Sequence, residues 1–244
     1  MKALILAGGR GKRMEQLSES ENKCMLTLHG KHLIEYSLDS AAAIPEVAEI
    51  VIVVGYRAES IINRFGTLYK GKQVRYVIQQ KQAGVVHAMD CAKGYIGNDD
   101  FFLFLGDEVI LGGRHAAMLD LMRKEDLFCV CGVFPQKNLE TIKRTYSLIH
   151  GPDDRIYRLI EKPRKPFNTL MGTGNILFRR AIFDYVDFTP INLSRGEKEL
   201  PDLIQCAIDD GERVRLFQVC DRYININSVE EWKEVENNWP PAPA

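Results

Sequence analysis

A glycine-rich, basic loop directly follows the first apolar run of the chain. The run Lys2–Ala7 leads into segment 8–13, whose sequence is Gly-Gly-Arg-Gly-Lys-Arg. Glycines let the backbone approach a ligand closely and turn its N–H groups toward an anion. The cations Lys12 and Arg13 add charge, and Arg can donate two hydrogen bonds to one phosphate. The pattern predicts a polyphosphate-binding loop, with an ordinary surface turn as the alternative.

Two common nucleotide-binding loops do not fit this segment. The dinucleotide-binding pattern GxGxxG, begun at Gly9, requires glycine at position 14, where the chain has Met14. The P-loop pattern GxxxxGK followed by Ser or Thr is absent from the sequence. The loop therefore belongs to neither class.

An acidic residue ends the most apolar run of the sequence. The run Phe101–Leu105 is followed by Gly106 and Asp107. A carboxylate is costly to bury unless it meets a cation or hydrogen-bond donors. Because Asp107 follows a predicted core strand, on the side of the glycine-rich loop, we predict that it binds a hard cation such as Mg²⁺ carried with a nucleotide. A helix N-cap is the structural alternative, since Asp is favoured there.

The other polar groups are weaker signals on their own. Glu161 and Lys162 precede Pro163 after a predicted strand, and taken alone they are interpreted as an exposed charge pair. The sequence contains no convincing Ser/His/Asp or Cys/His combination for nucleophilic catalysis. His87 lies on a predicted helix and is interpreted as a packing or polar-edge residue rather than a catalyst.

Short apolar runs alternate with helix-like segments along the chain, which is typical of βα units. Strands are predicted over 2–7, 50–54, 74–79, 101–105, 128–134, 146–149, 156–160, 175–178, 214–219 and 223–226, and helices over 33–43, 59–65, 84–95, 201–209 and 230–236 and near Ala181. The continuous apolarity of the strands indicates a sheet covered on both faces. The predicted fold class is α/β: a doubly wound, mostly parallel mixed sheet, Rossmann-like, with a small β-rich insertion around residues 135–175. In such sheets ligands bind outside the carboxyl ends of the strands, where the polar residues above fall.

Composition limits the classes of protein that fit. The 244 residues are 45% hydrophobic and 27% charged with a formal net charge of -1, so the chain is globular and gives no sign of nucleic-acid binding. No apolar run approaches the roughly 20 residues that span a bilayer, and Ala3–Ala7 is too short for a signal peptide. We expect a cytoplasmic protein with no membrane partner. The six cysteines form no CxxC pair, which favours reduced thiols over disulfides or zinc ligands.

Six segments of the chain form an ordered set of motifs. They are Leu6–Met14 with Lys23, Gln79 with Gly84 and Ala88, Leu105–Asp107, Glu161–Pro163, Gly172–Asn175, and Gly196–Asp202. In this order they resemble the motifs of the sugar-1-phosphate nucleotidylyltransferases, a nucleotidyltransferase family with a glycosyltransferase-A-like fold. Each segment is moderately specific, and together they extend over most of the chain.

The resemblance implies a reaction in which a nucleoside triphosphate and a sugar 1-phosphate give a nucleotide sugar and pyrophosphate, with Mg²⁺ as cofactor. It implies a catalytic set of Arg13, Lys23, Asp107 and Lys162. It implies nucleotide contacts from Leu6, Ala7, Gly8, Gly9, Gly11, Lys12, Arg13, Gln79 and Gly84, with Gln79 and Gly84 reading the base. It implies sugar-phosphate contacts from Glu161, Lys162, Gly174 and Asn175, and metal contacts from Asp107 and Asn225. The acceptor phosphate is already an anionic nucleophile, so such a site needs cations and backbone donors rather than a general base.

The resemblance also predicts how the chain is organised and what it binds. One domain is expected over residues 1–239, with a nucleotide-binding half at about 1–134, a sugar-phosphate-binding half at about 135–227, and a tail at 240–244. The expected partners are the two small-molecule substrates, with no nucleic acid and no membrane, and a homo-oligomer is left open.

The chain departs from the family pattern at several positions, including the stretch 25–28, which is Met-Leu-Thr-Leu where the family has Leu-Leu-Pro-Val. Asn22 stands where the family has proline, and Val85 where it usually has threonine or a small residue. Asn225 stands where the family has the aspartate that is its second metal ligand, and Asn offers an amide oxygen without charge. The segment around Asn225 resembles instead the guanylyltransferases of molybdenum-cofactor and cobamide synthesis, which lack the Glu-Lys-Pro segment. Such a guanylyltransferase, a phosphocholine-type cytidylyltransferase and a catalytically silent nucleotide-sugar-binding subunit remain alternatives, and the nucleobase and the sugar are not determined.

Overall fold

The computed structural model describes residues 1–9, 22–226 and 228–239. In chain order its strands are β1 (Lys2–Ala7), β2 (Thr27–Leu28), β3 (Lys31–His32), β4 (Glu49–Val54), β5 (Leu68–Tyr69), β6 (Lys72–Ile78), β7 (Phe101–Leu105), β8 (Glu108–Leu111), β9 (Cys129–Pro135), β10 (Tyr146–His150), β11 (Ile156–Glu161), β12 (Leu170–Phe178), β13 (Ile191–Asn192), β14 (Glu197–Lys198), β15 (Val214–Gln218) and β16 (Arg222–Asn225). Its α-helices are α1 (Leu33–Ala42), α2 (Ala58–Phe65), α3 (Val85–Ile96), α4 (His115–Glu125), α5 (Leu139–Ile142), α6 (Leu200–Asp209) and α7 (Val229–Asn237). Two short 3₁₀-helices span Lys23–Met25 and Arg180–Tyr185.

The main sheet has the strand order β15-β9-β12-β7-β1-β4-β6-β5. Strands β7, β1, β4 and β6 run parallel, as do β9 and β15. Strand β12 is antiparallel to both of its neighbours and joins the two parallel groups, and β5 is an antiparallel edge strand. The predicted α/β class with a mostly parallel mixed sheet is confirmed.

The two faces of the sheet are buried in separate cores. Along β1, Leu4 and Leu6 point into one core and Ala3 and Ile5 into the other. Helices α3 and α6 supply side chains to the first core, and α1, α2 and α4 supply them to the second. Because both faces of the sheet are covered, the strands lack the alternation of apolar and polar residues that a half-exposed sheet shows. This explains the uninterrupted apolar strands in the sequence.

Several elements differ from the sequence prediction. Strand β8 has no predicted counterpart, and β16 pairs with it outside the main sheet. This pairing joins segments more than 100 residues apart, so no local pattern reveals it. Helix α4 and the β2–β3 ribbon also have no predicted counterpart. The β-rich insertion is narrower than predicted, because its hairpin is β10–β11 and the next strand, β12, belongs to the main sheet.

All six cysteines are free, and Cys24, Cys129, Cys131 and Cys220 are buried. Among the helices of the described ranges, none combines the length and the apolar character that crossing a membrane requires.

Candidate functional site

A cavity of about 570 Å³ opens beyond the carboxyl ends of the parallel strands. Residues from the predicted nucleotide-binding half line one wall, namely Leu6, Gly8, Gly9, Lys23, Gln79, Gly84 and Asp107. Residues from the second half line the opposite wall, including Glu161, Lys162, Gly174, Arg195, Glu199 and Asn225. The structure thus brings two distant parts of the chain to one cavity.

Most of the predicted site residues lie on this cavity, and a few do not. Ala7 and Asn175 are buried beside it and are not part of its lining. The predicted residues Gly11, Lys12 and Arg13 lie outside the described residues. Their contacts therefore stay predictions.

Lys23 and Asp107 form an ion pair on the nucleotide-side wall. The 3₁₀-helix Lys23–Met25 places Lys23 Nζ 2.6 Å from Asp107 Oδ2. Burial alone would raise the pKa of Asp107, but the charge and hydrogen bond of Lys23 outweigh it and hold that pKa below its ordinary value. Asp107 lies in the turn between β7 and β8 and begins no helix, so the helix N-cap alternative is wrong.

Asn22 explains how Lys23 reaches this position. The side chain of Asn22 is fully buried, and its Nδ2 donates to Ala7 O (2.9 Å) and to Tyr56 O (2.8 Å). Its Oδ1 accepts a hydrogen bond from Cys24 N at 2.8 Å and caps the 3₁₀-helix. The residue that departs from the family pattern therefore ties the returning chain to the loops after β1 and β4.

The base-side edge of the cavity is built around Gln79, which follows β6. Its backbone N–H donates to Val54 O at 2.7 Å, and the residue is 5% exposed. A Cβ at Gly8 would lie 2.9 Å from Gln79 Oε1, so a larger residue there would require the carboxamide to shift. Gly84 has φ +93, and a Cβ on it would lie 2.7 Å from Glu197 Oε2 and 2.9 Å from Glu197 Cβ. Glycine is thus required at position 84 by the backbone conformation and by the close approach of Glu197.

Charged side chains from two segments, the end of β11 and the stretch 195–199, form the opposite wall. Lys162 Nζ lies 2.9 Å from Glu161 Oε1 at the end of β11. Arg195 Nη1 lies 2.5 Å from Glu199 Oε1 and 3.4 Å from Glu161 Oε1. The side chain of Glu161 is 16% exposed, so it is not half of an exposed charge pair. Sequence reasoning identified the stretch around Glu199 as a motif and missed Arg195 as a site residue.

Carboxylate crowding makes this wall electrostatically unlike the first. Burial and, next, the charge of Glu199 raise the pKa of Glu161 to about 7, even though Arg195 acts in the opposite direction. Glu161 therefore titrates near neutral pH.

A buried carboxylate that the sequence prediction missed connects the two walls. Glu108, the first residue of β8, accepts hydrogen bonds from Gly174 N (2.9 Å to Oε2), Asn175 Nδ2 (3.0 Å) and Tyr223 Oη (2.7 Å). Burial raises the pKa of Glu108 to about 7 even though the hydrogen bond from Tyr223 lowers it. A charged residue directly before the apolar run Val109–Leu111 was the only sequence signal for it.

The place of Asn175 differs from the expected sugar-phosphate contact. Its Nδ2 is bound to Glu108, and its Oδ1 lies 2.9 Å from His115 Nε2. Both ends of the amide are therefore engaged within the protein, and Asn175 supports the cavity wall rather than facing the cavity.

The donor set can be compared with what a magnesium ion requires. Asp107 and Asn225, the two residues predicted to contact the metal, both line the cavity. Within the described ranges, no group of three or more His, Cys, Asp or Glu side chains is arranged to hold a metal. One carboxylate and one amide oxygen fit Mg²⁺ that takes its other ligands from water and substrate phosphates, and do not fit a metal held by protein groups alone.

Comparisons with known proteins agree with this architecture. The nucleotidyl transferase family model matches residues 2–235. The UTP–glucose-1-phosphate uridylyltransferase of Haloferax volcanii is 28% identical over 97% of this chain and 95% of its own length. A glucose-1-phosphate thymidylyltransferase of Streptomyces griseus is 29% identical over 96% of this chain, which spans 65% of that protein.

Solved structures show the same fold. A UDP-glucose pyrophosphorylase complexed with UDP-glucose aligns with a TM-score of 0.85 at 22% identity, covering 98% of this chain and 97% of its own. The inositol-1-phosphate CTP transferase from T. maritima aligns with a TM-score of 0.76 at 21% identity, covering 94% and 90%. The match of the family model to nearly the whole chain, together with this fold, shows that the chain belongs to the nucleotidyl transferase family.

Proposed function

We propose that this protein transfers a nucleoside monophosphate from a nucleoside triphosphate to a sugar 1-phosphate and releases pyrophosphate. An oxygen of the acceptor phosphate attacks the α-phosphorus, a new P–O bond forms, and the bond from the α-phosphorus to the bridging oxygen of pyrophosphate breaks. Both reactants are anions, so the site must hold them together against their repulsion.

The nucleotide-side wall is suited to the triphosphate. The backbone of Gly8 and Gly9 borders the cavity at the end of β1, next to Lys23. The side chain of Lys23 is 11% exposed and is held in place by Asp107. Because its conformation is already fixed, binding a phosphate would cost little further side-chain entropy. In this proposal Lys23 balances charge on the reacting phosphates, and the loop 8–13 holds the leaving pyrophosphate.

The opposite wall is suited to the acceptor. Lys162 supplies the cation for the acceptor phosphate, and its positive φ of 45° turns the chain directly after β11. Glu161 and Gly174 line the same wall. Glu161 would accept hydrogen bonds from sugar hydroxyls, whereas the N–H of Gly174 is already bound to Glu108.

Asp107 and Asn225 would hold Mg²⁺ that arrives with the triphosphate. When bound, the ion would neutralise developing charge on the transferred phosphate and the leaving group. Within the protein itself, Asp107 also anchors Lys23, so its loss would affect the site in two ways.

The observation that carries the proposal is the shared cavity. Lys23 and Lys162 are 139 positions apart in the sequence (162 minus 23), yet both line one cavity of about 570 Å³. Two cations from remote parts of the chain on one cavity suit the joining of two phosphorylated substrates better than the binding of one.

The test is a panel of UTP, dTTP, GTP, CTP and ATP against glucose 1-phosphate, N-acetylglucosamine 1-phosphate, inositol 1-phosphate and phosphocholine, with and without a chelator. Pyrophosphate release is the measurement. We expect release with at least one sugar 1-phosphate and its loss with the chelator.

Other outcomes would contradict the proposal. Release only with phosphocholine or inositol 1-phosphate would favour a non-sugar acceptor. Tight binding of a nucleotide sugar without turnover would favour the silent subunit. Absence of both binding and release would exclude nucleotidyl transfer to any acceptor in the panel.

A further inference from the structure

The carboxamide of Gln79 is held in one orientation. Its Nε2 lies 3.2 Å from Gly84 O and 2.9 Å from His87 Nδ1. A backbone carbonyl oxygen can only accept, so the group that faces Gly84 O must be the amide NH₂ and not the amide oxygen. The contact with Gly84 therefore fixes which end of the carboxamide is nitrogen.

The state of His87 follows from the same geometry. Because Gln79 Nε2 is a donor, Nδ1 of His87 must be the acceptor, which requires a neutral imidazole with its proton on Nε2. His87 lies on α3 one turn from Gly84 and is not part of the cavity lining. His87 therefore contacts Gln79 from outside the cavity lining.

Both hydrogens of the Gln79 amide are thus used inside the protein. One binds Gly84 O and the other binds His87 Nδ1, while Oε1 packs beside Gly8 at the cavity. No donor to Gln79 Oε1 is recorded among residues 1–9, 22–226 and 228–239. Gln79 can therefore offer a ligand an acceptor and not a donor.

We infer that His87 is a positioning residue that makes Gln79 an acceptor-only reader of the nucleobase, and that this favours bases with a ring N–H at the hydrogen-bonding edge. The inference rests on the proposed function, since it requires the base to bind beside Gln79. Uracil, thymine and guanine carry such an N–H. Cytosine and adenine carry an unprotonated ring nitrogen beside the amino group, so an oxygen approaching that amino group also faces a lone pair.

The contribution of His87 can be isolated with two substitutions of nearly equal size. In His87→Asn, the amide oxygen can occupy the place of Nδ1 and accept from Gln79. In His87→Leu, the bulk is similar and the acceptor is gone. Without His87, only the longer contact with Gly84 O (3.2 Å) still orients the carboxamide, so the group can turn and present its NH₂ to the base more easily.

The experiment measures equilibrium binding of UTP, dTTP, GTP, CTP and ATP and, separately, kcat and KM for each. We expect the unaltered protein to prefer a base with a ring N–H over CTP and ATP. His87→Leu should reduce that preference about tenfold, the usual effect of one buried hydrogen bond, and His87→Asn should retain most of it. The change should fall on KM and binding, with kcat within about twofold, since His87 is not part of the cavity lining.

Each failure has a distinct meaning. A preference for CTP or ATP, or an unchanged preference in a folded His87→Leu protein, would overturn the inference while leaving nucleotidyl transfer intact. Selective binding without pyrophosphate release would overturn the proposed function and leave the inference standing. Equal loss of preference in His87→Asn and His87→Leu would show that the imidazole acts through packing, which also overturns it.

Discussion

The two walls of the cavity are built on different principles. The nucleotide-side wall consists of backbone at the ends of parallel strands, with one short ion pair between Lys23 and Asp107. The opposite wall is a network of charged side chains in which Arg195 contacts Glu161 and Glu199. The first is fixed by strand geometry, while the second depends on how separate segments pack together.

The difference extends to protonation. Asp107 is paired with a cation, and its pKa lies below its ordinary value. Burial and neighbouring carboxylates raise the pKa of Glu161 to about 7. One wall should therefore keep its charge across the physiological range, whereas the charge of the other should change within it.

The largest expected effect comes from removing the cation of the first wall. Lys23→Met keeps most of the stem and removes the ammonium group, so kcat/KM for pyrophosphate release should fall by roughly 10³-fold. Lys31→Met is the matched control, because Lys31 forms an exposed ion pair with Asp39 at 2.7 Å. The control should keep activity within about twofold. Equal activity of the two variants would mean that Lys23 takes no part in the reaction.

The next effect concerns the packing of Gly174 against Leu105, where the two walls meet. A Cβ on Gly174 would overlap with the side chain of Leu105, so Gly174→Ala should lower the free energy of unfolding by about 2 kcal/mol. Gly94→Ala is the control, since Gly94 is exposed on α3 with no atom near its Cβ position. That change should stabilise by about 0.5–1 kcal/mol. Urea unfolding measures both free energies. If Gly174→Ala leaves the free energy of unfolding unchanged, the contact between Gly174 and Leu105 is loosely packed.

Removing the polar anchor of the first wall should have a comparable or smaller effect. Asn22→Ala deletes the side chain that binds Ala7 O, Tyr56 O and Cys24 N, and should cost about 2 kcal/mol of unfolding free energy. Asn138→Ala removes a similar but exposed cap from α5 and should cost about 0.5–1 kcal/mol. If thermal unfolding shifts equally for the two variants, burial of Asn22 adds nothing to its anchoring role.

The smallest effect tests the titration of the second wall. The pKa of Glu161 is about 7 in the folded protein against an ordinary value of 4.5, so between these pH values the folded state holds a proton that the unfolded state has lost. This group therefore makes the protein less stable as pH rises from 5 to 8. In Glu161→Gln that contribution disappears, and the variant should gain about 1–2 kcal/mol relative to the unaltered protein across this range.

The measurement for this prediction is urea unfolding at several pH values. Other titrating groups are shared by the two proteins and cancel in the difference. Glu140→Gln, at an exposed pair with Lys143, is the control and should show no such pH dependence. Parallel stability curves for Glu161→Gln and the unaltered protein would contradict the raised pKa.

The residues of the first wall follow from the strand pattern, whereas Glu161 and Lys162 of the second wall were identified only through the family resemblance and Arg195 was missed. Strands β1 and β7 were identified with their observed bounds, because a sheet covered on both faces produces uninterrupted apolar runs. Polar residues directly after such runs, such as Asp107, then point to the ligand-binding edge. The contacts of Arg195, Glu108 and His87 give no comparable signal, because a charged or polar residue in a helix or loop is most often exposed to solvent.

The sequence by itself determined most of the main-sheet strands and their order, the mostly parallel sheet type and the edge of the sheet at which the cavity lies, since these follow from hydrophobic periodicity and chain direction. The tertiary structure alone decided which side chains meet there. It paired Asn22 with the loops after β1 and β4, Glu108 with Gly174, and Gln79 with His87. Hydrogen bonds and ion pairs act over about 3 Å, so the approach of segments remote in sequence, and the protonation states that result, depend on how the whole chain packs.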